Sequence, residues 1–402
     1  MSKPILTPEP LPETGNASVL FGGSMMSPIA NPWPVYTRLR AERPAMRLDS
    51  PMGVAWLLSR YEDVLRAARD SETFSSRGNA RGIGLLIGRT ILEMEGREHL
   101  RQRKLITPFF GPTAMRERVA PAIDRIIDDM IDGFERDRRA DLVKQFTFTF
   151  PLRVVAEIIG VPIDDFEEFH HWALALVAIA DDPGGAVVAA QKIVEYLKPL
   201  LEERRREPRA DLLSSLLHAE VDGETLGDKE VLSFLLLLLP AGAETTYRLT
   251  GTLLYALLAH PEVLEVVRRD PARLDSAIEE TLRWESPVQF ISRETTCDVE
   301  IGGAVVPAGD LVMVALGSAN RDEAHFPDAA RFTLGRANVG DHIAFGFGEH
   351  FCLGSALARL EARQAASRLL ARLPNLRLSS DAPSTIVGLA FRSPDHLLVA
   401  WD

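Results

Sequence analysis

The segment from Gly227 to His260 limits the possible folds of this chain more than any other stretch. Its composition favours a helix that begins near Asp228 and stops at Pro261. At about 1.5 Å per residue, one helix of that length crosses much of a domain. Its apolar run from Val231 to Leu239 is broken by Ser233 and is well short of the roughly 20 residues that a membrane span needs. We therefore predict one long helix in a protein without a membrane anchor.

Helical periodicity also dominates most of the chain before about position 300, for example from Val119 to Phe134 and from Ala186 to Glu203. Strand patterns occur at Ala45 to Ser59 and at Val299 to Val314, the second around a Gly-Gly turn. The Pro/Gly punctuation at Asp181 to Gly185 predicts a loop between helices. The sequence thus predicts a mainly α fold with a small β portion, an α+β class.

No Gly/Ser-rich or Pro-rich linker divides the interior of the 402 residues, so we expect one catalytic domain from 31 to 402. Residues 1–30 begin with a proline-interrupted stretch that lacks the apolar core of a signal peptide, and we expect a loosely structured arm. The formal net charge of −12 argues against nucleic acid as a partner. The two distant cysteines, Cys297 and Cys352, favour a reducing compartment, although their pairing stays open, and we predict a cytoplasmic protein.

The most informative stretch, HIAFGFGEHFCLGSALARLEAR, surrounds Cys352 with glycines and precedes a helical segment. Glycines permit a tight turn whose N–H groups face the sulfur, and the positive end of the following helix favours a thiolate. Because no second cysteine is nearby, a single thiolate suits the axial position of a haem iron better than structural zinc. A buried free cysteine is the alternative interpretation.

This stretch resembles the haem-binding loop of the cytochrome P450 family and matches its Phe-x-x-Gly-x-x-x-Cys-x-Gly signature throughout. The resemblance implies haem b (iron protoporphyrin IX) as cofactor and a P450 fold with a long central helix over the haem. It makes Cys352 the iron ligand. The other loop positions that it assigns to cofactor binding are Phe345, Gly346, His350 and Gly354.

Two further motifs precede Cys352 in the order that the family requires. The run Ala241 to Thr246 resembles the oxygen-activating segment of the central helix, with Ala241 against the cofactor. Glu280 and Arg283 resemble the Glu-x-x-Arg pair, a structural element that holds the loop before Cys352. That spacing alone is weak, because it recurs at Glu98/Arg101, Glu202/Arg205 and Glu265/Arg268, where we expect solvated pairs. Altogether the resemblance covers roughly Asn31 to the end.

Haem carries two propionates, which need cationic or hydrogen-bonding partners when buried. His99 and Arg103 match the family's His-x-x-x-Arg, and their i,i+4 spacing puts both on one helix face. Arg293 and His350 match two further propionate partners. Without the Cys352 loop, His99 and Arg103 would read as a basic surface face.

The resemblance implies reductive activation of dioxygen, with one oxygen atom inserted into a substrate and the other reduced to water. Glu244 and Thr245 match the residues that deliver protons for this reaction. The Thr245 hydroxyl can also turn toward the Ala241 carbonyl, and a kinked core helix with an exposed Glu244 is the plainer alternative. Pro240 is not part of the common motif and predicts a local bend before Ala241.

Substrate-facing positions follow only from family placement and are mostly apolar, which implies an apolar small-molecule substrate. They lie in the loop 83–87, on the central helix, at 288–290 and at 389–391. The individual candidates are Leu85, Leu86, Leu238, Val288, Phe290, Leu389 and Phe391.

The chain has no flavin- or nicotinamide-binding glycine motif and no iron–sulfur cysteine set. Electrons are therefore expected from a separate ferredoxin and its NAD(P)H-dependent reductase. Six cations are candidates for a basic face that steers an acidic donor, although merely solvated helix charges explain them equally well. They are Arg101, Lys104, Arg116, Arg118, Arg359 and Arg363.

Other functions remain open from the sequence. A peroxide-driven peroxygenase, or a haem protein that only binds a ligand, keeps the haem, but Glu244 and Thr245 favour the use of dioxygen. A cysteine hydrolase with Cys352 as nucleophile and His350 or His342 as base is the remote alternative, since it lacks an identifiable oxyanion arrangement.

Overall fold

The computed structural model describes residues 11–50, 53–81, 84–162, 166–177, 182–221 and 223–402. Helices dominate it, as the periodicity predicts. The α-helices are α1 Ala17–Phe21, α2 Trp33–Glu42, α3 Tyr61–Arg69, α4 Gly84–Ile87, α5 Gly96–Ile106, α6 Pro112–Ala114, α7 Ala120–Asp132, α8 Phe150–Ile159, α9 Phe166–Val177, α10 Pro183–Arg206, α11 Leu212–His218, α12 Asp228–Ala259, α13 Pro261–Arg269, α14 Arg273–Trp284, α15 Leu316–Ala319 and α16 Ser355–Arg372.

The strands are short and form a minor part of the fold. They are β1 Thr14–Gly15, β2 Ala45–Ser50, β3 Gly53–Leu58, β4 Phe74–Ser75, β5 Arg139–Asp141, β6 Glu220–Val221, β7 Glu224–Thr225, β8 Ile291–Thr295, β9 Val299–Ile301, β10 Ala304–Val306, β11 Leu311–Val314, β12 Arg377–Leu378, β13 Ile386–Val387, β14 Ser393–Pro394 and β15 Leu398–Ala400. The largest sheet has the order β1-β2-β3-β11-β8-β4. Both strand regions predicted from the sequence are confirmed, including the β9–β10 hairpin.

Helix α12 runs without interruption from Asp228 to Ala259, which confirms the long helix. It packs against α8, α14 and α16, so it crosses the main hydrophobic core. Gly242 is needed at the contact with α8, because a Cβ there would lie 2.7 Å from Cγ2 of Val155. The helical backbone continues through Pro240, and the predicted bend stays a prediction.

The expected loop at Asp181 to Gly185 is wrong for its described part, residues 182–185. Pro183 opens helix α10, and the Asp182 side chain accepts a hydrogen bond of 2.9 Å from the Gly185 N–H. Aspartate at the N-cap followed by proline at the first helical position is a helix start, because the capped N–H groups need an acceptor and proline has no N–H to lose.

The described part of the N-terminal region, from residue 11, contacts the rest of the chain. Strand β1 pairs with β2 in parallel, and Leu11 and Leu20 are buried in a cluster with the α2 residue Leu39. Within the ranges that the structure describes, none of the helices combines the length and the apolar character needed to cross a membrane.

Candidate active site

The loop before α16 brings Cys352 to a fixed position. Gly346 and Gly348 adopt φ values of +71° and +74°, a region that side chains with a Cβ disfavour. The Cys352 N–H donates to the Phe345 carbonyl at 2.9 Å, which closes the loop on itself. The glycine spacing in the sequence therefore corresponds to backbone geometry that glycine alone adopts easily.

Opposing effects act on the pKa of the Cys352 thiol. Burial raises the pKa of the thiol, while the backbone N–H groups of Gly354 and Ser355 and the positive charges of Arg103 and Arg359 lower it; burial prevails. The residue nevertheless retains an accessible face. A metal cation at the sulfur deprotonates a coordinating thiol outright, so this environment fits a thiolate that is completed by a bound metal.

His99 of α5 and His350 of the cysteine loop lie ring against ring, with centroids 4.5 Å apart. Both ring nitrogens of His99 and Nε2 of His350 are buried without a hydrogen-bond partner. Arg103, one turn after His99, donates to the carbonyls of Glu349 at 3.2 Å and Phe351 at 2.7 Å. The structure therefore brings the predicted His-x-x-x-Arg face against the cysteine loop.

Arg293, from the largest sheet, adds a further positive charge near His350. It lies on β8 opposite Val312, is 5% exposed, and donates to the backbone carbonyl of Ser292 at 2.8 Å. Burial lowers the pKa of Arg293 to about 10, with Glu95 opposing the shift. Burial and then the charges of Arg293, His99 and Arg103 lower the pKa of His350 to about 3.

We use "cation cluster" for His99, Arg103, Arg293 and His350. Within the described residues, no carboxylate forms an ion pair with any of the four. Buried donors without an acceptor cost free energy until an anion or water supplies one. The cluster thus fits a ligand with two carboxylates, as the propionates of haem require, next to a sulfur that fits its iron.

On α12, the Thr245 hydroxyl donates to the Ala241 carbonyl at 2.7 Å, which confirms the predicted backbone contact. Glu244 is not the exposed acid of the kinked-helix alternative, because it is 6% exposed and paired with Arg248. Its Oε1 accepts from Arg248 Nε at 2.8 Å. The sequence analysis missed Arg248, although its i,i+4 spacing from Glu244 was a usable signal.

Glu280 and Arg283 form a fully buried ion pair on α14, with two nitrogen–oxygen contacts of 2.8 Å. Arg283 also donates to the carbonyls of Asn320 and Ala329, both at 2.9 Å. Arg336, which the sequence analysis missed, adds a second guanidinium to Glu280 at 3.2 Å. This network ties α14 to the segment that leads toward the cysteine loop.

The other three Glu-x-x-Arg motifs do not pair internally, so that expectation was wrong. Arg101 binds Glu230 and Glu224, Arg205 binds Asp228, and Glu265 binds Arg269. Helix spacing permits an i,i+3 pair. Acids on other elements compete for Arg101 and Arg205, whereas the next cation along the helix, Arg269, competes for Glu265.

The substrate candidates are dispersed. Leu85 is 80% exposed on α4, whereas Leu389 is fully buried. Leu86 and Leu238 are partly buried against the main core, and Phe290 packs against Tyr36 with ring centroids 6.2 Å apart. The structure brings Val288 and Phe391 together through an isolated antiparallel β-bridge. Ile83 lies outside the described residues.

Comparison with known proteins identifies the family of the chain. The family model described as Cytochrome P450 matches residues 182–386 of the chain. Cytochrome P450 107B1 of Saccharopolyspora erythraea is 40% identical over 362 residues, which cover 86% of this chain and 88% of that protein. The vitamin D(3) 25-hydroxylase of Pseudonocardia autotrophica is 39% identical, with 90% of each chain covered.

The fold is shared with solved structures as well. A cytochrome P450 from Chondromyces apiculatus superimposes with a TM-score of 0.83 at 38% identity, covering 92% of this chain and 95% of that one. Sequence relatives and structural neighbours therefore identify the same family. The chain belongs to the cytochrome P450 family of haem b monooxygenases.

Proposed function

We propose that this protein is a cytoplasmic haem-thiolate monooxygenase that inserts one atom of dioxygen into an apolar small molecule, by hydroxylation or epoxidation. Residues 31–402 act as its single catalytic domain. The observation that carries the proposal is the cation cluster, whose buried donors lack an anion beside an accessible Cys352.

Cys352 would hold the haem iron, and the cation cluster would hold the propionates. Phe345, Gly346 and Gly354 on one side and Ala241 on the other would contact the ring. When bound, haem supplies the reductive activation of dioxygen, and the thiolate favours O–O cleavage. Glu280 and Arg283 act on the site indirectly, by fixing the segment before the loop.

Thr245 and Glu244 would move the protons that the reaction needs. Thr245 is poised for this role because its hydroxyl is anchored to the Ala241 carbonyl through its proton, which leaves its oxygen free to accept. Glu244 is buried, so proton transfer through it avoids bulk water at the site.

An apolar substrate is supported by the positions beside the site. Leu86, Leu238, Val288 and Phe391 are each partly buried, so they retain surface that a ligand can cover. A related protein is named as a vitamin D(3) 25-hydroxylase.

Electrons are proposed to come from a ferredoxin and its NAD(P)H-dependent reductase. Five of the six predicted cations are engaged: Arg101, Arg116, Arg359 and Arg363 in ion pairs, and Arg118 with the Ala210 carbonyl. Lys104 is exposed and has no ion pair within the described residues. Leu100 on the same helix is 52% exposed. A mixed apolar and basic surface, rather than a strongly basic one, would therefore meet the donor.

The deciding experiment is the absorption spectrum of the purified protein in its reduced carbon monoxide complex. The wild type and Cys297→Ala, the matched control, are expected to show the thiolate-ligated spectrum. Cys352→Ala is expected to lose it. Identical spectra for Cys352→Ala and the wild type would refute the assignment of the ligand.

Turnover with a ferredoxin system separates the monooxygenase from a peroxygenase. NAD(P)H-dependent product formation supports the proposal, whereas product only with added peroxide supports the peroxygenase. The cysteine hydrolase is disfavoured because a nucleophile and its base must lie within hydrogen-bond reach. Within the described residues, neither His350 nor His342 has a hydrogen bond to the Cys352 sulfur.

A further inference from the structure

A chain of polar contacts leads from the buried acid of α12 to the C-terminal strand β14. Both Nε and Nη2 of Arg248 contact the same oxygen of Glu244, Oε1. The remaining guanidinium nitrogen of Arg248 donates to the Ser393 hydroxyl at 3.1 Å. Arg248 thus joins the central helix to a strand that is distant in sequence.

The Arg248 guanidinium also lies among aromatic rings. Its central carbon is 5.5 Å from the ring centroid of Phe391 and 4.8 Å from that of Tyr247. Phe391 is bridged to Val288, one of the apolar positions beside the proposed substrate site. The guanidinium therefore stands between an acid proposed to carry protons and an aromatic side chain on the substrate side.

The contacts leave the two oxygens of Glu244 unequal. Two nitrogens of Arg248 and the Tyr247 hydroxyl contact Oε1, and the hydroxyl lies 3.5 Å from it. Oε2 accepts no hydrogen bond within the described residues. Breaking a buried ion pair is costly because it leaves a desolvated charge without a partner. Movement of Glu244 alone would therefore break both of its contacts with Arg248.

We propose that Arg248 is a positioning residue that couples the substrate side of the site to proton delivery, by holding Glu244 until contact at Phe391 shifts the guanidinium. This inference rests on the proposed function, since it presumes that Glu244 carries protons. A ligand shifts an equilibrium between two arrangements of a protein only if it interacts with them differently. Phe391 contacts the Arg248 guanidinium and is bridged to Val288 on the proposed substrate side, so a ligand at Phe391 can favour one arrangement over the other.

The test needs no identified substrate, because Phe391→Ala removes the aromatic contact directly. With a plant-type ferredoxin, its reductase and no added substrate, Arg248→Gln and Phe391→Ala are each expected to raise NAD(P)H consumption. Loss of the charge-assisted contacts to Oε1 predicts an increase of roughly tenfold for Arg248→Gln. Loss of the ring contact predicts a smaller increase, of roughly two- to fivefold, for Phe391→Ala. The double variant is expected to match Arg248→Gln, and Glu244→Gln is expected to abolish the increase.

Hydrogen–deuterium exchange supplies a readout that does not depend on turnover. Arg248→Gln and Ser393→Ala are expected to accelerate exchange in the peptide covering Leu389–Pro394, with Arg248→Lys intermediate. Lys229→Gln, an exposed cation at the start of the same helix, is the matched control and is expected to change neither readout.

Additive effects of Arg248→Gln and Phe391→Ala, an increase that persists in Glu244→Gln, or unchanged exchange would each overturn the inference. A wild type that lacks the thiolate-ligated spectrum would refute the proposed function instead. The exchange experiment would still decide whether Arg248 connects α12 to β14, so the two failures are distinguishable.

Discussion

His99 and His350 face each other across 4.5 Å with buried nitrogens that have no acceptor, next to two guanidinium groups. Burial first, and then the nearby positive charges, disfavour protonation of both rings, and together they lower the pKa of His350 far below its ordinary value of 6.5. A bound dianion would instead favour protonation of the two rings. A bound propionate and the cluster would then stabilise each other.

Thr245 offers the most direct test of proton handling at the site. Thr245→Ala removes the hydroxyl anchored to Ala241, so protons are expected to reach dioxygen less selectively and more reduced oxygen to escape as peroxide. We expect peroxide released per NAD(P)H consumed to rise severalfold, while Thr245→Ser stays close to the wild type. An unchanged ratio with full product yield in Thr245→Ala would contradict the role.

Glu279 is expected to make the stability of the folded protein depend on pH in the acid range. Burial alone would raise the pKa of its carboxyl, but hydrogen bonds from Arg359 and His342 outweigh burial and hold the pKa at about 2, against an ordinary value of 4.5. Because the folded-state pKa is the lower one, this contribution is present above pH 4.5 and is lost as the pH falls toward 2.

We therefore expect Glu279→Gln to lower the free energy of unfolding at pH 7 by about 1–2 kcal/mol, after allowance for solvent screening. The difference from the wild type is expected to shrink below pH 4.5. Urea unfolding at pH 7, 4 and 3 measures it, with Glu262→Gln, an exposed acid on α13, as control. A constant difference across that range would contradict the linkage.

Single residues were predictable where the chemistry is local. The Thr245 contact with Ala241 lies within one helical turn, and the glycines around Cys352 are required by the backbone itself. The contact between Arg336 and Glu280 was not predictable, because the two residues are 56 positions apart in the sequence. Such partners depend on which elements the fold brings together, and no spacing rule contains that information.

At the level of elements, α14 acts as the anchor of the segment before the cysteine loop. Arg283 is fully buried and binds the carbonyls of Asn320, Ala329 and Arg331 in addition to Glu280. These carbonyls belong to a segment that the structure leaves outside regular helices and strands after α15. Its backbone carbonyls therefore take their donors from side chains, three of them from Arg283 and others from Arg336 and Trp284.

Arg283→Ala is expected to destabilise the protein by about 3–5 kcal/mol, because it leaves Glu280 buried with a reduced set of partners. Little haem-loaded protein should be recovered, and the ratio of haem absorbance to protein absorbance measures this. Arg269→Ala, an exposed cation on the neighbouring α13, is the control. Normal haem content in Arg283→Ala would show that the anchor is dispensable.

Long elements were easier to predict than their junctions. Helix α12 carries enough apolar residues over its length to outweigh an internal proline, so its bounds followed from the sequence. The prediction for residues 182–185 was wrong because proline and glycine were interpreted as helix breakers, although Asp182 in front of Pro183 caps a helix. The outcome there depended on one side-chain hydrogen bond, which composition does not reveal.

For the whole molecule, the distribution of charge bears on how an electron donor meets the protein. The net charge of −12 repels an acidic partner at long range, while the local cations on α5 and α16 are largely neutralised by ion pairs. Long-range steering should therefore be weak. Association should depend on short-range contacts at exposed residues such as Leu100 and Lys104.

Lys104→Ala is accordingly expected to slow reduction by a ferredoxin by about threefold, and the wild-type rate should fall only modestly between 50 and 300 mM salt, since isolated surface charges contribute little once screened. Stopped-flow reduction at several ferredoxin concentrations measures both effects. Lys198→Ala on α10 is the matched control, because that lysine is also exposed but lies on a different helix. A steep loss of rate with salt, or equal rates for Lys104→Ala and Lys198→Ala, would mean that donor recognition uses another part of the surface.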